Sequence, residues 1–189
     1  MDVPSRAEAL ALLRKWVTDP KLRIHALCVE AVMRHLAEKN GEDPDQWGAV
    51  GLVHDIDYEQ FPDEHCRHIR EILEPAGWGE EAIRAAESHG WGICSDVKPE
   101  SRLEQCLYGF DELTGLVYAT ALVRPSRSVL DMKAKSVRKK WKVRSFAAGA
   151  NRDVIQQGAD MLGMDLNVMF EECILGMRTV ADEIGLGGG

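Results

Sequence analysis

Four of the chain's six histidines, His25, His54, His65 and His89, fall on apolar helix faces or at their ends. Asp55 stands beside one of them, and Asp111 lies in a long amphipathic segment. A polar group carried into a core must be hydrogen-bonded, paired or bound to a metal, because leaving it unsatisfied costs several kcal/mol. One such histidine alone reads as a satisfied core residue. Recurrence on consecutive helices reads differently, since helices sharing a core bring their inward residues to one place. Mixed imidazole and carboxylate donors suit a divalent ion: imidazole favours Zn, Fe, Mn, Co or Ni, and carboxylates also accept Mg or Mn. Neighbours on a regular helix point about 100° apart, so His54 and Asp55 reach one ion only where the backbone leaves helical geometry.

The elements that must position these residues are helical throughout. Ser5 and Glu8 form a capping box for a first helix running to about Val17. A second follows Asp19 and Pro20 and continues to Asn40, with Gly41 as its stop. Its apolar positions Cys28, Val29, Val32, Met33 and Leu36 put His25 on the buried stripe. Asp43 and Pro44 start a third helix that ends near His54 and Asp55. Past Pro62, Asp63 is placed to cap a fourth, with Cys66, Ile69, Ile72 and Leu73 as its apolar side and an end at Pro75 and Gly77. His65 lies within that side and His68 at its edge. A fifth, Glu80 to Ser88, delivers His89 at its C-terminal end. From about Glu100 a long sixth helix carries Leu103, Leu107, Phe110, Thr114 and Val117 in register, with Asp111 beside that stripe. Ser126 is placed to cap a basic helix, and Asn151 and Asp165 two more, with Gly163 and Gly185 as stops. No alternating strand pattern and no interdomain linker appears. The expectation is an all-α bundle of about eight or nine helices, one domain over residues 1–189, with Gly187, Gly188 and Gly189 as a frayed end.

A length of 189 residues and 45% hydrophobic composition allow a core that needs no disulfide framework. The five cysteines are scattered and form no CxxC pair, which fits a reducing cytoplasm and no thiolate zinc site. The opening MDVPSRAEALALLRKW lacks a cleavable signal pattern, and no segment is long and apolar enough to span a membrane. A net charge of −8 argues against a nucleic-acid polymer as partner, because phosphate backbones are bound by surplus Lys and Arg. Any phosphate affinity must be local. Lys133 to Arg144 holds seven basic residues and no acidic one, making Lys135, Lys139 and Lys140 candidates for substrate phosphate. A solvated helix face is the equal alternative.

The segments RIHALCVEAVMRHLAE, GLVHDIDYE, DEHCRHIREIL, AAESHG and YGFDELTGLV present H, HD, H, H and D in order over about residues 20–120. In this the chain resembles the HD superfamily of metal-dependent phosphohydrolases. The resemblance implies a metal held by His25, His54, Asp55 and Asp111. In relatives with two ions, further histidines lie between the HD pair and the last Asp, and His65 and His89 match those positions. Many relatives read HDIG where this chain reads HDIDYE, which puts Asp57 and Glu59 near the metal in place of glycine. The resemblance further implies hydrolysis of a phosphate ester, a nucleotide or another small phosphorylated metabolite, with His54 and Asp55 in the catalytic centre. The ion would lower the pKa of a bound water from 15.7 to about 7 and polarise the phosphoryl oxygen. Two other outcomes stay open: a metal- or nucleotide-binding regulatory module without catalysis, and a diiron oxygenase of the HD type.

Overall fold

The computed structural model describes residues 1–188. Among these described residues nine α-helices account for the architecture: α1 Arg6–Trp16, α2 Pro20–Asn40, α3 Pro44–Val53, α4 Ile69–Leu73, α5 Glu80–Ser88, α6 Arg102–Leu122, α7 Ala134–Trp141, α8 Arg152–Leu162 and α9 Leu166–Arg178. The described residues contain no strand, only isolated bridges between Trp91 and Ser95 and between Ser128 and Gly187. The expected all-helical bundle is the observed one. No helix among the described residues is long and apolar enough to cross a membrane.

Local chemistry explains most helix ends. The Ser5–Glu8 capping box is formed, and a second one, Ser101 with Glu104, starts α6. Asp19 and Asp43 each accept backbone hydrogen bonds ahead of a proline at the first helical position. Gly41 ends α2 at φ 74°, in the left-handed region glycine enters without strain. Asn151 caps α8 through the Asp153 and Val154 amides, and Asp165 caps α9.

The two 21-residue helices, α2 and α6, form the axis of the bundle. Helix α2 packs against α3, α6 and α9, while α7, α8 and α9 close over α6. Helices α6 and α8 cross with their backbones in contact: a Cβ on Gly109 would lie 3.1 Å from the Gly158 Cα. That crossing tolerates no side chain at either glycine.

Four expectations are corrected. The fourth helix does not run from Pro62. A 3-10 turn covers Pro62–Glu64, residues 65–68 are non-helical, and α4 is only five residues long. Asp63 caps nothing. The cause is nonlocal: buried Asp57 accepts from the His68 amide (3.2 Å) and from His65 Nδ1 (2.8 Å), and Cys66 sits at φ 70°. Second, Ser126 does not start the basic helix; its hydroxyl bonds Asp131, and α7 begins after Lys133. Third, α9 stops at Arg178, and Gly185 serves a later turn. Fourth, Gly187 and Gly188 do not lie in a frayed end. The Leu186 side chain is fully buried, its carbonyl accepts from the Val129 amide and Ser128 Oγ, and Gly187 bridges Ser128. Gly189 lies outside the described residues.

Candidate metal centre

His25 projects from α2 and Asp111 from α6, the two long helices that pack together. Helix α3 ends at Val53, His54 is its C-cap, and Asp55 enters the following turn. His54 still has helical dihedrals (φ −57°, ψ −36°), so the departure from the helix comes after it, in the turn that carries Asp55. His89 is likewise the C-cap of α5, and His65 follows the 3-10 turn.

The donors form two sets. In the first, His25 Nε2 lies 2.9 Å from Asp111 Oδ1 and 3.3 Å from His54 Nε2. His54 Nε2 is 3.2 Å from Asp111 Oδ1, and Asp55 Oδ2 is 3.5 Å from both imidazoles. In the second set, His65 Nε2 and His89 Nε2 are 3.1 Å apart, and Asp55 Oδ1 lies 3.2 and 3.1 Å from them. Asp55 therefore turns one carboxylate oxygen to each set. Donors ~2.1 Å from a common ion are ~3.0 Å apart at an octahedral corner and ~3.4 Å apart in a tetrahedron. Both sets fall on those separations.

The far side of each ring fixes which nitrogen faces inward. His54 Nδ1 donates to the Gly51 carbonyl (2.8 Å) and His89 Nδ1 to the Ala86 carbonyl (2.5 Å), each ring folding back on the last turn of its own helix. His65 Nδ1 donates to Asp57, which is fully buried. The Thr114 hydroxyl donates to the Asp111 carbonyl (2.7 Å), leaving its oxygen to accept from His25 Nδ1 at 3.4 Å. Such outer partners hold the ring orientation and raise the basicity of the inward nitrogen. With every Nδ1 proton engaged outward, four Nε2 lone pairs meet two carboxylates and no donor. Protons or metal ions on the inward nitrogens relieve that arrangement, and the partial negative C-terminal ends of α3 and α5 add to the demand for positive charge.

The titration behaviour of the ion-free centre says the same. Burial works against protonated His25 and His65, yet the hydrogen bonds that His25 donates to Asp111 and Asp55, and His65 to Asp55 and Asp57, raise both to about 10. His89 is raised against its burial by Asp55. Burial disfavours the charged forms of Asp55 and Asp111, but the imidazoles, His54 foremost, hold both well below the usual carboxylate range.

A cavity of about 260 Å³ opens in front of the donors, walled also by Tyr58, Gly90, Ile93, Cys94, Glu112 and Val154. Burial and the Asp111 charge push the Glu112 carboxyl up to about 7. No Lys or Arg lines the cavity, so Lys135, Lys139 and Lys140 are not brought to it. Glu59 also departs from expectation: it accepts from the Thr18 and Asp19 amides and the Thr18 hydroxyl, away from the donors. Asp57 is where the sequence placed it, acting on His65. His68 bonds Glu64 and Glu71 and stacks on Phe61, and His35 bonds Glu172. The residues that sequence reasoning passed over are Thr114, Glu112, Cys66 and Cys94. Thr114 sits three residues after Asp111, a spacing that put it on the neighbouring turn of the same helix.

Residues 22–115 match the family model for the HD domain. The chain is an HD-domain protein. The matched stretch of the HD domain includes all six inward donors and ends on α6 just past Asp111. HD domains form a superfamily of metal-dependent phosphohydrolases, and the histidine and carboxylate clusters here have the arrangement to hold metal. Neither a curated protein nor a solved structure matches the chain.

Proposed function

We propose that this HD domain hydrolyses small phosphate esters with two divalent ions, one held by His25, His54, Asp111 and Asp55 Oδ2, the other by His65, His89 and Asp55 Oδ1. The observation that carries the reading is the Asp55 carboxylate, each oxygen within 3.5 Å of a separate pair of imidazoles. Divalent ions bound there would supply a nucleophile from water at neutral pH and a Lewis acid for the phosphoryl oxygen. The chain's own work is placement. His54 and His89, tied to carbonyls of their own helices, keep their Nε2 atoms inward, and Asp57 does the same for His65. The cavity has room for a phosphoryl group and part of its ester. No Lys or Arg stands on its wall to neutralise the phosphate, a role that bound ions would fill.

We further propose that the C-terminal helices belong to the same domain, since α8 and α9 pack on α6 and α2. The five free cysteines support the expected reducing cytoplasm.

The test is chelation followed by readdition of Mn, Fe, Co, Ni, Zn or Mg, with phosphate release measured on a panel of phosphomonoesters and phosphodiesters. Restoration by at least one ion is expected. No turnover with any of them would overturn the hydrolase and favour the binding module. The same cation-free wall favours one second reading, a diiron oxygenase. Substrate-dependent oxygen uptake by the Fe-loaded protein, without phosphate release, would establish that instead.

A further inference from the structure

We infer that Cys66 is a further ligand of the second ion, making that position selective for thiophilic cations. The inference rests on the two-ion reading and adds to it a sulfur donor and a metal class.

The second set offers only three protein donors, His65, His89 and Asp55 Oδ1, whereas the first offers four. Cys66 Sγ lies 3.9 Å from His89 Nε2, and His65, Cys66 and His89 present one donor atom each within 4.8 Å of one another. With Zn–S about 2.3 Å and Zn–N about 2.1 Å, a tetrahedral ion sets its sulfur and nitrogen ~3.6 Å apart, close to the separation seen. Cys66 is buried, with its sulfur against the His89 ring. Its backbone supplies an independent observation. Cys66 holds φ 70°, a conformation L residues rarely adopt, in the non-helical stretch between the 3-10 turn and α4. Glycine is the residue that adopts it without strain, yet a cysteine stands there. Strained backbone of this kind persists where surrounding structure imposes it, and it clusters at functional sites. Here it sets the thiol beside the two imidazoles. Gly90 completes the arrangement: a Cβ there would meet both the Cys66 and Cys94 sulfurs, so the chain keeps that space for them.

Thiolate ligation selects Zn, Co or Fe(II) over Mg or Mn, because soft sulfur binds soft or borderline ions. As the sulfur–metal bond forms, the thiol proton leaves to solvent and no electron changes hands. The first set, two imidazoles and two carboxylates, lacks the added preference that sulfur confers. The two positions therefore differ in the ions they accept.

The experiment is a cobalt(II) titration of the ion-free full-length protein followed by absorbance. The expected result is binding of two equivalents, one of them accompanied by a near-ultraviolet thiolate-to-cobalt charge-transfer band. Cys66→Ser removes the band, and Cys94→Ser retains it. Cys66→Gly suits φ 70° and removes the sulfur, so it gives the answer even where the serine variant fails to fold. The ratio of Zn to Mg affinity at the second position should fall at least about tenfold in Cys66→Gly. Two cobalt equivalents without the band would overturn the Cys66 assignment and leave the two-ion reading intact. A band lost in Cys94→Ser but kept in Cys66→Gly would also overturn it. A single equivalent of cobalt would overturn both.

Discussion

The two donor sets share Asp55 but hang on different kinds of scaffold. His25 and Asp111 project from 21-residue helices packed together through the core, and His54 closes the fully buried end of α3. The second set stands on a 3-10 turn, a residue at φ 70° and the C-cap of the nine-residue α5, beside a helix of five residues. Regular helices bring many cooperative backbone bonds to bear on a donor's position, while the second set depends on a few side-chain bonds, chiefly those of Asp57. Segments with few backbone bonds open at lower free energy than packed helices. On the proposed two-ion reading, the first position is therefore expected to hold its ion more tightly than the second.

The strongest way to break this comparison is to remove the residue both sets share. Asp55→Ala should abolish phosphate-ester cleavage, a loss exceeding the ~10–100-fold that removal of an outer partner costs. The readouts are kcat/KM and metal content, with circular dichroism confirming the fold. Full activity would remove Asp55 from the centre. Next in size is the double change His65→Ala, His89→Ala. Metal content under saturating ion should fall from two per chain to one, with the first position unchanged. One ion in both proteins would reassign these histidines to substrate or structure.

Removing the ions sharpens the contrast in another way. In the ion-free protein His25 and His65 titrate near 10 instead of their ordinary 6.5. A raised folded-state value contributes stability that is full below about 6.5 and is lost as pH rises through about 10. Asp55 and Asp111 have the opposite sign, contributing above the ordinary 3.8 and losing that contribution as pH falls towards their depressed values. Bound ions take the place of the protons, so the loaded protein escapes the loss on the alkaline side. The gap in Tm between loaded and chelated protein should therefore widen from pH 7 to pH 10. A constant or narrowing gap contradicts the assigned charges. A milder effect is expected of Asp57→Asn, which keeps the shape but removes the charge facing His65. Affinity for the second ion should drop ~10–100-fold while the first is unaffected. An equal loss at both positions would show that Asp57 supports the fold rather than one ion.

The same division marks what the sequence made legible. Wherever a helix end is set by its own neighbours, as at Ser5, Asp19, Gly41, Asp43, Asn151 and Asp165, local chemistry sufficed. The inward residues were legible because His25, His54 and Asp111 are conspicuous on apolar faces. The stretch after Pro62 was not. Cys66, Ile69, Ile72 and Leu73 satisfy a helical period, but Asp57, from the preceding turn, captures the His68 amide and the His65 ring and holds the chain open. A carboxylate acting from eight or more residues away leaves no mark in local periodicity. The outer partners were hidden for a related reason: two of the four are backbone carbonyls, whose availability depends on where α3 and α5 end. Glu59 was misplaced because neighbours in sequence past a helix end need not point the same way. It binds the start of α2, while Asp57 turns inward.

The smallest effect is expected where charge alone suggested a role. Lys135 and Lys139 are exposed on α7, a helix that packs on α6 and α9, and Lys140 lies over the Phe146 ring at 4.5 Å. Exposed charges are screened over about 8 Å at physiological salt, and none of these three touches the cavity. Replacing all three lysines by alanine should change kcat/KM by less than about twofold at 0.15 M salt and leave metal content at its wild-type value. Lowering the salt tenfold extends the screening length and provides the finer measurement. An effect that appears only there marks long-range steering of an anionic substrate, which acts on kcat/KM and leaves kcat alone. A tenfold loss of kcat at ordinary salt would instead put the basic helix against the substrate phosphate, and would mean that this segment closes onto the cavity when substrate binds.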